Sequence, residues 1–222
     1  DRFADRRVFL AGDAVHLFTP TGGFGMNTGI DDAANLAWKL AAMVHGWGGS
    51  ELMASYEKER LPIALRNTDA ARKLTANIGE TDIDPAIEHD TSMGEAARRT
   101  AGEMLANFGE QFASIGVQLG ARYDGSPLIA SEGPAPADSF VTYTPTSVPG
   151  GRAPHLWLDE KRTFGSSLYD QLGTGFTLLR LGTHTADVSE MLTAAANLGI
   201  PLKALDIDDM DARDLYQCDL AL

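Results

Sequence analysis

The segment VFLAGDAVHLFTPTGGFGMNTGIDDAANLAWKLA, residues 8 to 41, concentrates the residue types that could hold a ligand. Asp13 follows Gly12 at the end of a short apolar run, and its carboxylate is an acceptor suited to sugar or polyol hydroxyls. Glycines at 22, 23 and 25 carry no Cβ and permit φ > 0, so backbone N–H groups there can approach a flat ligand closely. A helix beginning near Thr28 would bring roughly half a positive charge to its N-terminus, a place for a group that becomes anionic. No Gly-Lys-Ser/Thr follows and the spacing is not GxGxxG, so a phosphate cradle is not the first choice. Spacing alone equally allows a glycine-rich turn with a capping Asp before a core helix, and it leaves the ligand unnamed.

These residues need elements to hold them. Val8 to Ala11 suits a buried strand ending in the Gly12-Asp13 turn. Beyond the glycines, Ile30, Ala33, Ala34, Ala37, Leu40, Ala41 and Val44 recur at helical spacing, with Asp31 and Asp32 in the first turn. That helix stops near His45-Gly46. Ser50 can cap a second helix through Tyr56, Ile63, Asn67, Ala70 and Leu74; Pro62 inside it, at a cost of roughly 3 kcal/mol, predicts a bend or a pair. Residues 79 to 94 read as a connection with one turn of helix. Glu95 to about Gln118 is helical again, with Ala97, Ala101, Met104, Leu105, Phe108 and Phe112 at core spacing.

Six of the ten prolines fall between Tyr123 and Pro154, which marks 123–154 as a linker between residues 1–122 and 155–222. After it the pattern predicts strands at His155–Leu158, Phe176–Leu181 and Leu202–Ile207, with helices at Ser167–Leu172 and Asp187–Leu198. Alternating strands and helices predict an α/β sheet, in a chain of mixed α/β class. Leu220-Ala221-Leu222 resembles the opening of a further strand, so the last domain is expected to be truncated.

Composition narrows the function. With 222 residues, 44% hydrophobic and 22% charged, the chain is long enough for one or two real cores and is neither disordered nor collagen-like. Its net charge is −13, split −6 and −7 about Gly125, so neither half is a basic module and nucleic acid is a poor partner. No apolar run approaches the roughly 20 residues of a membrane span. The start, DRFADRRVFLAGD, has too short an apolar run for a signal peptide. Cys218 stands alone, which excludes an internal disulfide or a CxxC site and fits a reducing, cytoplasmic compartment.

At residues 8–41 the wording resembles the second flavin-binding motif of the class A FAD-dependent aromatic hydroxylases, the para-hydroxybenzoate hydroxylase-like group. Within it, HLFTPTGGFGMNTGIDDAANLAWKLAA is similar to phenol hydroxylases and to aromatic polyketide hydroxylases of antibiotic biosynthesis. YEKERLPIA at 56–64 resembles the helix that follows, and GGRAPHLWLDE at 150–160 the entry to a thioredoxin-like C-terminal domain. The resemblance implies that Gly12 and Asp13 match the pair whose Asp binds the ribityl hydroxyls of FAD. Pro20 matches the proline beside the flavin ring, and Gly22, Gly23, Gly25, Met26 and Asn27 match the loop whose amides face its pyrimidine edge. It further implies NAD(P)H as reductant, O2, a flavin C4a-hydroperoxide as oxidant, and hydroxylation of a small phenolic or polyketide ring.

No side chain is assigned a catalytic role and no metal site is expected. His16 reads as a loop-ordering or packing residue; His45, His89, His155 and His184 are scattered without metal-like clustering. Met43, Met53 and Met104 read as core. Asp206, Asp208, Asp209, Asp211 and Asp214 lack the glycine and closing Glu of a calcium loop and read as a solvated acidic turn. The family's GxGxxG unit for the ADP half of FAD has no counterpart here, so the chain is expected to be a C-terminal part of a longer enzyme, inactive in isolation. The competing expectation is a non-catalytic binding or homo-oligomerisation module.

Overall fold

The computed structural model describes residues 2–79, 82–106, 109, 113–130, 133–183 and 186–222. They divide into two units: residues 1–37, 54–126 and 137–143 form the first, and 38–53, 127–136 and 144–222 the second.

In the first unit, β1 (Ala4–Asp5) and β2 (Val8–Phe9) form a small antiparallel hairpin, with Ala4 opposite Phe9 and Asp5 opposite Val8. The expected buried strand is shorter than its apolar run, and Val8 is 63% exposed while Phe9 packs toward Phe3, Tyr56 and Ala64. The first long helix, α1 (Phe24–Val44), starts four residues before Thr28, leaving Asp31 and Asp32 beyond its first turn. Glycine in a helix costs about 1 kcal/mol, but Phe24 is buried against Ala70, Ala71, Leu74 and Val117, and this packing carries the helix through Gly25.

The apolar stripe of α1 faces outward. Ile30 and Val44 are 57% and 83% exposed, and Ala33, Ala34, Ala37, Leu40 and Ala41 are exposed with them. The buried side in this unit runs through Phe24, Thr28, Asp32 and Asn35, spaced by four, four and three residues. The polar side turns inward because its partners are on the next helix.

That helix, α2 (Ser50–Gly79), is one continuous element of 30 residues, not a pair, with Pro62 inside it. Pro62 and Lys58, whose carbonyl the proline cannot bond, both lie on the exposed side, where the freed group is open to solvent. Tyr56, Ile63, Asn67, Ala70 and Leu74 are all buried, as their spacing predicts. A short turn at Pro85–Glu88 precedes α3 (Ser92–Ala106) and α4 (Ile115–Leu119). The single helix expected over 95–118 is therefore divided; Ala101 is buried, Leu105 is 51% exposed, and Phe108 and Phe112 lie outside the described residues. Arg66 of α2 holds α4 by donating to the Val117 and Gly116 carbonyls (3.0 and 2.9 Å) and, bidentately, to Asp138.

The second unit holds a three-stranded sheet in the order β4-β3-β5, built from β3 (Phe176–Leu181), β4 (Leu202–Ile207) and β5 (Leu220–Ala221). β3 and β4 are parallel, with Phe176 opposite Leu202 and Leu181 opposite Ile207, and α6 (Ser189–Asn197) makes the crossover. β5 runs antiparallel to β3. A capping box between Ser167 and Asp170 starts α5 (Leu168–Gln171). The strand expected at His155–Leu158 supplies only a bridge from Trp157 to Ser167. The expected acidic turn instead contains α7 (Met210–Tyr216), because the Asp209 carboxylate accepts from the Asp211 and Ala212 N–H groups and caps it. Leu168, Leu179, Leu181, Ile207, Ala212 and Tyr216 form the core. Met43 is not core: it is 42% exposed.

Candidate functional site

α2 pins the hairpin that delivers the first candidate residues. The Phe3 and Ala4 N–H groups donate to the Glu57 carboxylate (2.7 and 3.0 Å), and the Tyr56 hydroxyl donates to the Leu10 carbonyl at 2.7 Å. Burial, and then the Asp32 charge, push the Tyr56 phenol up to about 12. The chain then enters a tight turn over Gly12–Ala14, closed by Val15 and His16 N–H groups donating to the Gly12 carbonyl. Gly12 adopts φ +60°, and a Cβ added at Gly29 would sit 3.2 Å from the Gly12 Cα, so the turn lies against the side of α1. Asp13 is exposed on this turn.

The second group of candidates follows at once. Thr75 of α2 joins the hydroxyls of Thr19 and Thr21 (2.8 and 3.0 Å), fixing the backbone on either side of Pro20. Thr21–Gly23 is a short turn, with Gly22 at φ +83° and Gly23 at φ +69°. The two glycines differ in kind. A Cβ on Gly22 would meet Phe24 and Leu74 at 2.5 and 2.9 Å, whereas one on Gly23 would meet nothing within 4 Å. Gly22 serves packing, and Gly23 borders open space. Gly25, Met26 and Asn27 lie in the first turn of α1, where the Gly25 and Met26 N–H groups have no intrahelical acceptor. The loop amides and the positive helix end are thus one feature. Met26 is 74% exposed, and the Asn27 side chain donates to the Gly23 carbonyl at 2.8 Å.

What joins the two turns is a buried polar cluster. Asp32, fully buried, accepts from the Gly12 N–H (3.0 Å), His16 Nε2 (2.6 Å) and Arg60 Nε (2.8 Å). Arg60 also reaches the Tyr123 hydroxyl and the Thr28 carbonyl, both at 3.3 Å. Burial presses the Arg60 guanidinium downward, but Tyr123 and Asp32 outweigh it and hold the group above its ordinary value. It is a permanent cation opposite a buried carboxylate. Around the cluster, Asn67 donates to the Thr28 hydroxyl, Asn35 to Glu59, and Ser126 to Glu59.

Sequence reasoning singled out the two turns but missed Asp32, Arg60, Glu57 and Thr75 as their supports. The polar spacing Thr28, Asp32, Asn35 along one side of a helix was the available signal. His45, His89 and His155 are exposed, the last packed on Trp157 and Tyr169, while His184 lies outside the described residues. Among the described residues no group of three His, Cys, Asp or Glu is placed to hold a metal, and no helix is long and apolar enough to cross a membrane.

An exposed carboxylate on one turn, open space at a left-handed glycine on the next and a helix N-terminus beside it suit a ligand with a polyol and a flat, anion-forming ring. Residues 1–71 match the FAD binding domain family. The chain is 34% identical to a phenol 2-monooxygenase of Pseudomonas sp. (strain EST1001), covering 95% of this chain and 38% of the relative. It is 36% identical to a tetracenomycin B2 monooxygenase-dioxygenase of Streptomyces olivaceus, over 92% of this chain and 33% of that protein. The rebeccamycin biosynthetic enzyme RebC, solved with reduced flavin, superposes with a TM-score of 0.88 at 37% identity, over 99% of this chain and 41% of that one. Over nearly its whole length the chain is thus similar to FAD-dependent aromatic and polyketide monooxygenases. It spans about a third to two fifths of the length of the relatives it matches.

Proposed function

We propose that this chain is the C-terminal part of an FAD-dependent monooxygenase that hydroxylates a small aromatic substrate, phenolic or polyketide, with NAD(P)H and O2. The observation that carries the reading is the pairing of exposed Asp13 with the open, left-handed turn at Gly23 on the N-terminus of α1. In it, Gly12 and Asp13 hold the ribityl chain. Pro20 flanks the ring, and Gly22, Gly23, Gly25, Met26 and Asn27 present backbone toward its pyrimidine edge. Bound FAD supplies the redox chemistry, taking up reducing equivalents and activating oxygen. The protein's part is positional: the amides and helix end stabilise negative charge on the reduced ring.

Residues 123–154 link the flavin-binding part to a thioredoxin-like domain at 155–222, whose single cysteine excludes dithiol exchange and suits the cytoplasm. The outward apolar stripe of α1 supports burial against further sequence, since contiguous exposed apolar faces mark interaction surfaces. The stripe equally favours the second reading, a binding or oligomerisation module. An FAD titration separates them. The intact protein is expected to be yellow and the 222-residue chain alone to bind FAD weakly; a colourless intact protein would sink the enzyme reading. In the intact protein Gly23→Val is expected to abolish flavin retention while preserving the fold.

A further inference from the structure

We propose that Asp32 is a positioning residue for the flavin site, acting by bracketing Asp13 between Gly12 and His16. The inference rests on the flavin reading above and goes beyond it by assigning a role to a fully buried side chain.

One oxygen, Oδ2 of Asp32, accepts on both sides of Asp13: from the Gly12 N–H at 3.0 Å before it and from His16 Nε2 at 2.6 Å after it. The residues between form the tight turn whose own closing bonds return to the Gly12 carbonyl. A turn tied at both ends to one atom cannot roll about its axis, so the direction in which Asp13 projects is set by Asp32. The His16 ring is confined to this bond. Its side chain is 7% exposed, it lies 5.8 and 5.1 Å from the Phe3 and Phe18 rings, and no partner among the described residues reaches the buried Nδ1. The proton is therefore assigned to Nε2, which donates.

Asp32 is also part of α1, whose first turn carries Gly25, Met26 and Asn27. The carboxylate thus fixes the polyol-binding turn relative to the amides that face the ring, with Gly12 seated against Gly29 one turn away. A cofactor spanning both features requires that spacing to be set before it binds. Arg60 neutralises the buried anion on its other oxygen and is held in turn by Thr28 and Tyr123.

The test is a double-mutant cycle on FAD affinity in the intact protein, with the melting temperature of the apo form recorded alongside. His16→Phe, a ring that can pack on Phe3 and Phe18, is expected to weaken FAD binding about tenfold while the apo form still melts cooperatively. His16→Gln, which can still donate to Asp32, should recover most of that loss. Asp13→Ala should weaken binding at least as much, and the double variant should lose little beyond Asp13→Ala alone, since the bracket has nothing left to aim. Asp32→Asn paired with Asp13→Ala should show the same non-additivity and covers the case in which His16→Phe folds poorly. Fully additive losses, or unaltered affinity in His16→Phe, would overturn the role of Asp32 while leaving the flavin site intact. Unaltered affinity in Asp13→Ala would instead remove the site reading itself.

Discussion

The contact between α1 and α2 in the first unit and the sheet of the second are equally buried, yet they are made of opposite materials. Around Asp32 the interior is a chain of charged and hydrogen-bonded groups: His16, Arg60, Thr28, Asn67, Asn35 and Glu59. Around Leu181 it is Leu168, Leu179, Ile207 and Tyr216. Apolar burial contributes more free energy per residue and has no preferred direction; hydrogen bonds contribute little net but fix angles. The sheet core stabilises a unit, whereas the polar cluster dictates where the Gly12–His16 turn sits on α1. A site that must be held in register is built from the second material.

The contrast can be broken at its centre. Arg60→Met leaves the buried Asp32 anion without its permanent cation, held only by His16 and the Gly12 N–H, and should destabilise the first unit by roughly 3–5 kcal/mol, seen as loss of amide-exchange protection in α1 and α2 with β3 and β4 still protected. Adding Asp32→Leu should return much of that stability while leaving the Gly12 turn without its acceptor. Equal stability of Arg60→Met and wild type would show that the cluster is not electrostatically coupled. In the sheet, Leu181→Ala should cost about 3 kcal/mol through lost contact and a cavity, with FAD affinity of the intact protein unchanged. A parallel fall in affinity would end the separation of roles.

A smaller effect sharpens the comparison through pH. Tyr56 holds its proton up to about 12 against an ordinary value of 10.0, so between those limits the folded state binds a proton that the unfolded state has released. Stability is therefore fully present below pH 10 and falls as pH rises toward 12, by on the order of 2 kcal/mol. Tyr56→Phe should remove that slope in chemical denaturation between pH 9 and 12; an unaltered slope would point to another group. The smallest effect belongs to the surface of the second unit. Arg180 pairs bidentately with Asp206 at 2.5 and 2.7 Å, which holds the Asp206 carboxyl below its usual value, but both are solvent-facing. Asp206→Ala should leave the melting temperature unchanged within error; a clear drop would show that the polar surface of this unit also carries stability.

Legibility in the sequence followed the range of the forces involved. β3 and β4 were readable to the residue, because each is a short, mostly apolar stretch set off by Gly175, Gly182 and Pro201 and its own side chains decide its state. The buried series Tyr56, Ile63, Asn67, Ala70, Leu74 was readable for the same reason. α7 was hidden by its acidic composition, since Asp209 acts as a cap only once the following residues turn. Pro62 predicted a bend or a pair of helices, and the pair did not form, because the exposure of Lys58 and Pro62 is a property of packing.

By itself the sequence determined the strands of the small sheet, the spacing of α2 and the presence of two turns able to meet a cofactor, since these depend on residue type over a few positions. Only tertiary structure decided that α1 would point its apolar stripe outward and its polar side toward α2. It also separated two adjacent carboxylates, leaving Asp31 exposed and burying Asp32 against Gly12, His16 and Arg60. Periodicity states which residues share a face of a helix. Which face is buried depends on partners about 20 and 28 residues away along the chain, and those partners meet only when the chain has folded.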